Sequence, residues 1–180
     1  MPDPRIRPIA PADVPAVTQM VYDLAEYERL REQCHLTVDQ LRAALFGPQP
    51  ALFGLVATQG AGDMVRVGIV DEPAEAALPA IVGYALYFLN FSTWEGAHGI
   101  YLEDVYVRPD HRGSGLGKAL LVALAEIAAD GGFARVEWSV LDWNTPSIEF
   151  YRLLGAVAMD GWTVFRLSGP ALERTARGTG

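Results

Sequence analysis

Residues 105–118 read Val-Tyr-Val-Arg-Pro-Asp-His-Arg-Gly-Ser-Gly-Leu-Gly-Lys. An apolar run enters a glycine-rich loop and a helical pattern leaves it. The first amides of such a helix have no intrahelical partner and point outward. With the helix dipole they form an anion site suited to a pyrophosphate. Glycine lets phosphates approach the backbone, and Arg112 and Lys118 offer charge pairing. Immediately upstream, on the apolar run that enters the loop, stand two adjacent carboxylates, Glu103 and Asp104.

Familiar phosphate loops do not fit. A Walker loop requires glycine where Arg112 stands and Ser or Thr where Ala119 stands. The dinucleotide pattern G-x-G-x-x-G, started at Gly113, requires glycine at Lys118. No serine sits in a G-x-S-x-G elbow. What remains is Arg-x-x-Gly-x-Gly at Arg112, Gly115 and Gly117.

The elements that must position these residues can be read from spacing. Arg5 to Ile9 suggests a short strand. Pro11-Ala12-Asp13 opens a helix with apolar positions at Val14, Val17, Val21, Leu24 and Ala25. Thr37 followed by Gln40 predicts a capping box and a second helix ended by Gly47-Pro48. Ala51–Thr58, Ala80–Phe91 and Gly99–Val107 read as strands, the last two joined by a turn at Ser92–Gly96. A helix with Leu116, Leu120, Ala123 and Ile127 on one stripe follows the glycine loop and ends at Gly131-Gly132.

Beyond it, Ala134–Leu141 suggests a strand, and Thr145-Pro146 a helix start with Pro146 suited to the first turn. Two short strands are expected around Asp160-Gly161, and a frayed tail from Ala171. The segment Gln59–Pro79 has room for an extra strand at 64–70. The order suggests one domain over 1–180, with a core at about 5–168: an α/β or α+β sheet with helices on its faces.

The glycine loop resembles the acetyl-CoA loop of the general N-acetyltransferase (GNAT) superfamily. The wider chain resembles its spermidine/spermine (diamine) and thialysine N-acetyltransferase branch. The resemblance rests on Ile6-Arg7-Pro8, Leu24-Ala25-Glu26-Tyr27-Glu28, Tyr101–Val107, Val140–Asn144, Pro146-Ser147-Ile148, Phe150-Tyr151 and Gly161-Trp162. It spans residues 5 to 168 and departs at Gln59–Pro79.

The resemblance implies a mixed, mostly antiparallel sheet with a splayed parallel strand pair at the acetyl-CoA site. It implies direct acetyl transfer from acetyl-CoA to a primary amine of a small cationic substrate, a diamine, polyamine or thialysine-like amino acid. Tyr151 is then the acid that protonates the departing thiolate. Val105, Val107, Arg112, Gly113, Ser114, Gly115, Leu116, Gly117, Lys118 and Asn144 hold the cofactor. Tyr27, Glu28, Trp94, Glu103 and Asp104 face the amine, with Glu103 relaying the proton through water. For both acids to serve one site a bulge must re-aim one, because adjacent strand residues face opposite ways. Asn144 also suits a helix N-cap. Two rival readings are a coenzyme A-binding regulator without turnover and an acetyltransferase for another amine, such as protein lysine or an aminoglycoside.

Composition narrows the partners. The net charge of −8 disfavours a nucleic-acid partner, which calls for a basic face, and suits a cationic ligand. The apolar stretch Ala80–Phe91 is too short to cross a bilayer, and no apolar run behind Met1 suggests a secretory leader, so a cytoplasmic, membrane-free protein is expected. Cys34 is the single cysteine, and the three histidines are scattered, so no metal is expected. A homodimer is expected from the resemblance alone.

Overall fold

The computed structural model describes residues 3–59 and 80–178; the expected strand at 64–70 lies outside them. The chain divides into two compact units, Met1–Ser139 and Val140–Gly180, described in turn.

Among the described residues, the first unit is a five-stranded sheet in the order β1-β2-β3-β4-β5. The strands are β1 (Ile6–Pro8), β2 (Phe53–Thr58), β3 (Ile81–Ser92), β4 (Ala97–Val107) and β5 (Val136–Trp138). The first four pair antiparallel, and β5 joins β4 in parallel. Helices α1 (Val14–Tyr27) and α2 (Val38–Phe46) cover one face. There Val14, Val17, Met20, Leu41 and Leu45 pack on Val56, Tyr84, Leu86 and Tyr106. Full burial of each such apolar side chain contributes roughly 1.5–3 kcal/mol. Helix α3 (Leu116–Asp130) packs against β2, β3 and β4. It buries Leu116, Leu120 and Leu124 in one stripe, with Leu121 and Ala128 beside it. Ala123 and Ile127 are only half-buried, so the inward stripe is rotated from the expected one.

Local signals set the helix ends. Thr37 Oγ1 accepts from the Gln40 amide, and the Gln40 side chain accepts from the Thr37 amide, the expected reciprocal cap. Asp13 is buried. Its carboxylate accepts from the Ala10 amide at 2.7 Å and from both terminal nitrogens of Arg7 at 2.5 and 3.0 Å, tying β1 to the start of α1. Helix α1 closes with Arg29 at φ 62°: the Leu30 amide reaches Ala25 O and the Arg29 amide reaches Glu26 O, a Schellman cap built without glycine.

In the second unit, α4 (Thr145–Leu153) starts at Asn144, whose Oδ1 accepts from the Ser147 amide at 3.4 Å. Pro146 sits in the first turn. Three expectations are corrected. The strand after α3 is three residues long rather than spanning Ala134–Leu141. No strands form around Asp160-Gly161, where Val157, Val164 and Phe165 are over 80% exposed. Their β-branched and aromatic composition favours strand, but a strand needs a ladder partner, and the described residues give none. The tail is helical rather than frayed through α5 (Gly169–Ala176), with Pro170 in its first turn.

Candidate active site

The β3–β4 ladder slips at one point. Leu86 faces Asp104, and the next residue, Tyr87, faces Leu102, so Glu103 is the extra residue of a bulge. In a regular strand Leu102 and Asp104 would share a face. Their partners are adjacent on β3 and point oppositely, so the bulge turns Asp104 toward the face of Leu86, Tyr84 and Tyr106, beneath α1. Asp104 is re-aimed in this way and still feels the charge of Glu103. Glu103 is exposed and Asp104 half-buried.

Electrostatics tie the pair to the end of α1. The Asp104 carboxyl is pushed up to about 7, by burial first, then by the like charges of Glu103 and Glu28. The Glu28 carboxyl is raised by burial. Three carboxylates thus crowd one partly desolvated place, an arrangement that favours a cation arriving among them. Tyr27, next to Glu28, carries the Arg112 guanidinium over its ring at 5.1 Å, and Tyr106 flanks the same group at 5.5 Å.

The glycine loop lies beyond β4. Gly113 and Gly115 have φ of 78° and 83°, and at each a Cβ would meet nothing within 4 Å. Gly115 is the N-cap of α3. The Ser114 hydroxyl donates to His111 O at 2.6 Å, and Arg5 donates to Ser114 O at 3.2 Å, pinning the loop to the start of the sheet. A cleft of about 590 Å³ beside the start of α3 is lined by Arg5, Gly115 and Lys118 among others. The Arg112 Nε donates to Val107 O at 3.0 Å, so this arginine bridges the loop to β4 as well as stacking on Tyr27.

The parallel ladder between β4 and β5 ends at Leu102–Trp138, while β4 continues to Val107. Val105 and Val107 pair with Ala85 and Gly83 on one side and have no β5 partner on the other. An open strand edge followed by left-handed glycines and free helix amides fits an extended amide-bearing arm ending in a pyrophosphate. Val105, Val107 and residues 112–118 would hold it.

Tyr27, Glu28, Glu103, Asp104 and Arg112 are therefore brought together, with the loop adjacent in sequence. Trp94 is 89% exposed in the β3–β4 turn. Ala97 and Glu103 lie six steps apart, on the order of 20 Å along the strand, so the strand does not carry Trp94 to the carboxylates. Asn144 and Tyr151 belong to the second unit. Asn144 is buried at the α4 cap, and Tyr151, in the last turn of α4, packs on Phe150 with ring centroids 5.5 Å apart. Among the described residues no group of three or more His, Cys, Asp or Glu side chains is placed to hold a metal ion, and no helix is long and apolar enough to cross a membrane. Sequence reasoning missed Tyr84, Tyr106 and Arg5. The first two read as core residues, and nothing in local spacing joins Arg5 to a loop 109 residues away.

Comparison with known proteins bears on this arrangement. Residues 58–156 match the model of the acetyltransferase (GNAT) family. The chain is 37% identical over 174 residues to the thialysine N-epsilon-acetyltransferase of Bos taurus, covering 95% of this chain and 96% of that protein. It is 32% identical to the L-ornithine N5-acetyltransferase of Arabidopsis thaliana, covering 94% and 86%. Among solved structures, an integron cassette protein from the mobile metagenome of V. cholerae superposes with a TM-score of 0.71 at 19% identity, covering 96% of each chain. The chain belongs to the GNAT family and is an N-acetyltransferase. The family implies acetyl-CoA as cosubstrate.

Proposed function

We propose that this acetyltransferase moves acetyl directly from acetyl-CoA to a primary amine of a small cationic molecule. The class comprises amino acids bearing a side-chain amine, such as thialysine or ornithine, and diamines or polyamines. The observation that carries the reading is the cluster of Glu28, Glu103 and Asp104 at the β4 bulge, next to the glycine loop. Two relatives whose names specify a side-chain nitrogen of an amino acid support it. In a partly desolvated pocket an ammonium gains more from these carboxylates than it does in water.

Each group then has a task. Residues 112–118 and the open edge at Val105 and Val107 bind and orient the cosubstrate, which supplies an activated thioester carbonyl. Tyr27 and Glu28 line the amine side, and Trp94 suits a longer substrate that reaches the turn. The acidic pair holds the ammonium and removes its proton, and Tyr151 returns a proton to the departing thiolate. Asn144 sets the start of the helix that bears Tyr151. The whole chain acts as one catalytic domain, in a homodimer and in the cytoplasm.

The test is thiol release from acetyl-CoA against putrescine, spermidine, spermine, thialysine, ornithine, lysine and an aminoglycoside. Preference for an amine of the proposed class supports the reading. Activity confined to the aminoglycoside or to protein lysine overturns it, and acetyl-CoA binding without turnover on any amine favours a regulator. Tyr151→Phe should lower kcat by about 100-fold with acetyl-CoA affinity retained; unchanged turnover removes Tyr151 as the acid.

A further inference from the structure

Tyr84 in β3 is fully buried, and among the described residues its hydroxyl makes no hydrogen bond of good geometry. A buried polar group left without a partner costs about 1–3 kcal/mol, and phenylalanine would fill the same space without that cost. The sheet register says what the hydroxyl faces. Tyr84 lies opposite Tyr106, and Leu86 lies opposite Asp104. Tyr84 and Asp104 are therefore diagonal neighbours on one face, a spacing an aromatic side chain spans. The hydroxyl comes near enough to Asp104 to favour its carboxylate form. Burial, and then the charges of Asp104 and Glu28 with Tyr106 and Cys34, raise the Tyr84 phenol far above its ordinary value, so it remains a donor throughout the working range.

Resting on the reading above, we infer that Asp104 is the proton acceptor for the incoming ammonium and that the Tyr84 hydroxyl is the positioning residue that holds its carboxylate. Exposed Glu103 and half-buried Glu28 act on it through charge. The proton balance is simple. One ammonium N–H bond breaks and its proton passes to Asp104. The freed lone pair forms the N–C bond to the thioester carbonyl carbon, and the C–S bond breaks. The nitrogen loses a second proton as the amide forms, matching the one the thiolate gains. Asp104 then releases its proton to solvent, the single net proton of the reaction. An acceptor is most effective when it titrates near the working pH, and burial with the neighbouring charges raises Asp104 toward neutrality.

The test is the pH profile of kcat/KM for the preferred amine, with the full chain. The variants are Asp104→Asn, Glu103→Gln and Tyr84→Phe, with acetyl-CoA affinity checked in each to confirm folding. Wild type should gain activity through a limb near pH 7. Asp104→Asn should lose about 100-fold in kcat and lose the limb. The other two should shift it in opposite directions, each by roughly half a unit or more. Glu103→Gln removes a like charge and moves the limb to lower pH. Tyr84→Phe removes a donor to the carboxylate and moves it to higher pH. A limb lost in Glu103→Gln and kept in Asp104→Asn makes Glu103 the acceptor. A limb unmoved in Tyr84→Phe removes Tyr84. Wild type inactive on every amine sinks the reading underneath, whereas an active wild type whose limb ignores all three substitutions sinks only this assignment.

Discussion

The Arg112 guanidinium lies over the ring of Tyr27, 5.1 Å from its centroid, while its Nε donates to Val107 O. One side chain thus joins the end of α1 to β4 and the glycine loop. A planar guanidinium stacks and forks in a way an ammonium does not. Arg112→Lys should therefore behave like Arg112→Ala and raise the KM for acetyl-CoA about tenfold or more. Tyr27→Phe keeps the ring and should leave that KM near wild type, whereas Tyr27→Ala should raise it. Steady-state kinetics at saturating amine decides, and a lysine variant with wild-type KM would discard the stacking argument.

Gly115 caps α3 at φ 83° with open space where a Cβ would stand. The cost of Gly115→Ala is then one of backbone conformation, about 1–2 kcal/mol. The loop amides would also lose their aim, so acetyl-CoA affinity should fall in calorimetry. Gly96 offers a control: it too has positive φ and open space, at the tip of the β3–β4 turn. Gly96→Ala should cost similar stability in denaturant titration and leave acetyl-CoA affinity intact. Equal affinity loss in both would mean that the loop is merely destabilised.

The Thr37–Gln40 box, the Asn144 cap and the glycine loop are written in residues three or four apart, and each forms as expected. The bulge at Glu103 is different: alternation alone sends Glu103 and Asp104 to opposite faces, and only the family resemblance anticipates it. Tyr84 was not legible at all, since it sits in an apolar strand run and its hydroxyl acquires meaning only through the register of β3 on β4. The absent strands around Asp160-Gly161 reflect the same limit. Strand preference is local, but pairing depends on residues far away in the chain.

Asp13 illustrates a buried charge whose partners are close in sequence. It is 2% exposed and bound by Arg7 and the Ala10 amide. Asp13→Ala leaves Arg7 unpaired and the amide unsatisfied, and should lower stability by about 3 kcal/mol. The additional substitution Arg7→Leu should recover part of the loss, because the stranded charge is gone. Chemical denaturation of the single and double variants measures both; a full loss retained in the double variant would place the cost in the amide bond rather than the ion pair.

Asp104 makes the opposite contribution. Its ordinary value is 3.8, and in the folded chain it rises to about 7. A carboxyl raised by folding costs nothing where both states are protonated, below about pH 4. As pH climbs, the unfolded chain ionises first, and stability falls until the folded group ionises too, near 7. The full cost above that window is on the order of 4 kcal/mol. Asp104→Asn should therefore match wild type in thermal melting at pH 4 and exceed it increasingly up to about pH 8, while losing catalysis. A bound cationic amine offsets the same repulsion, so it should raise the melting temperature of wild type more at pH 8 than at pH 5, and barely move the Asn variant. Parallel melting curves for wild type and Asp104→Asn across this range would show that the carboxyl is not desolvated. The free enzyme would then owe none of its instability at neutral pH to the crowding of Asp104 by Glu103 and Glu28.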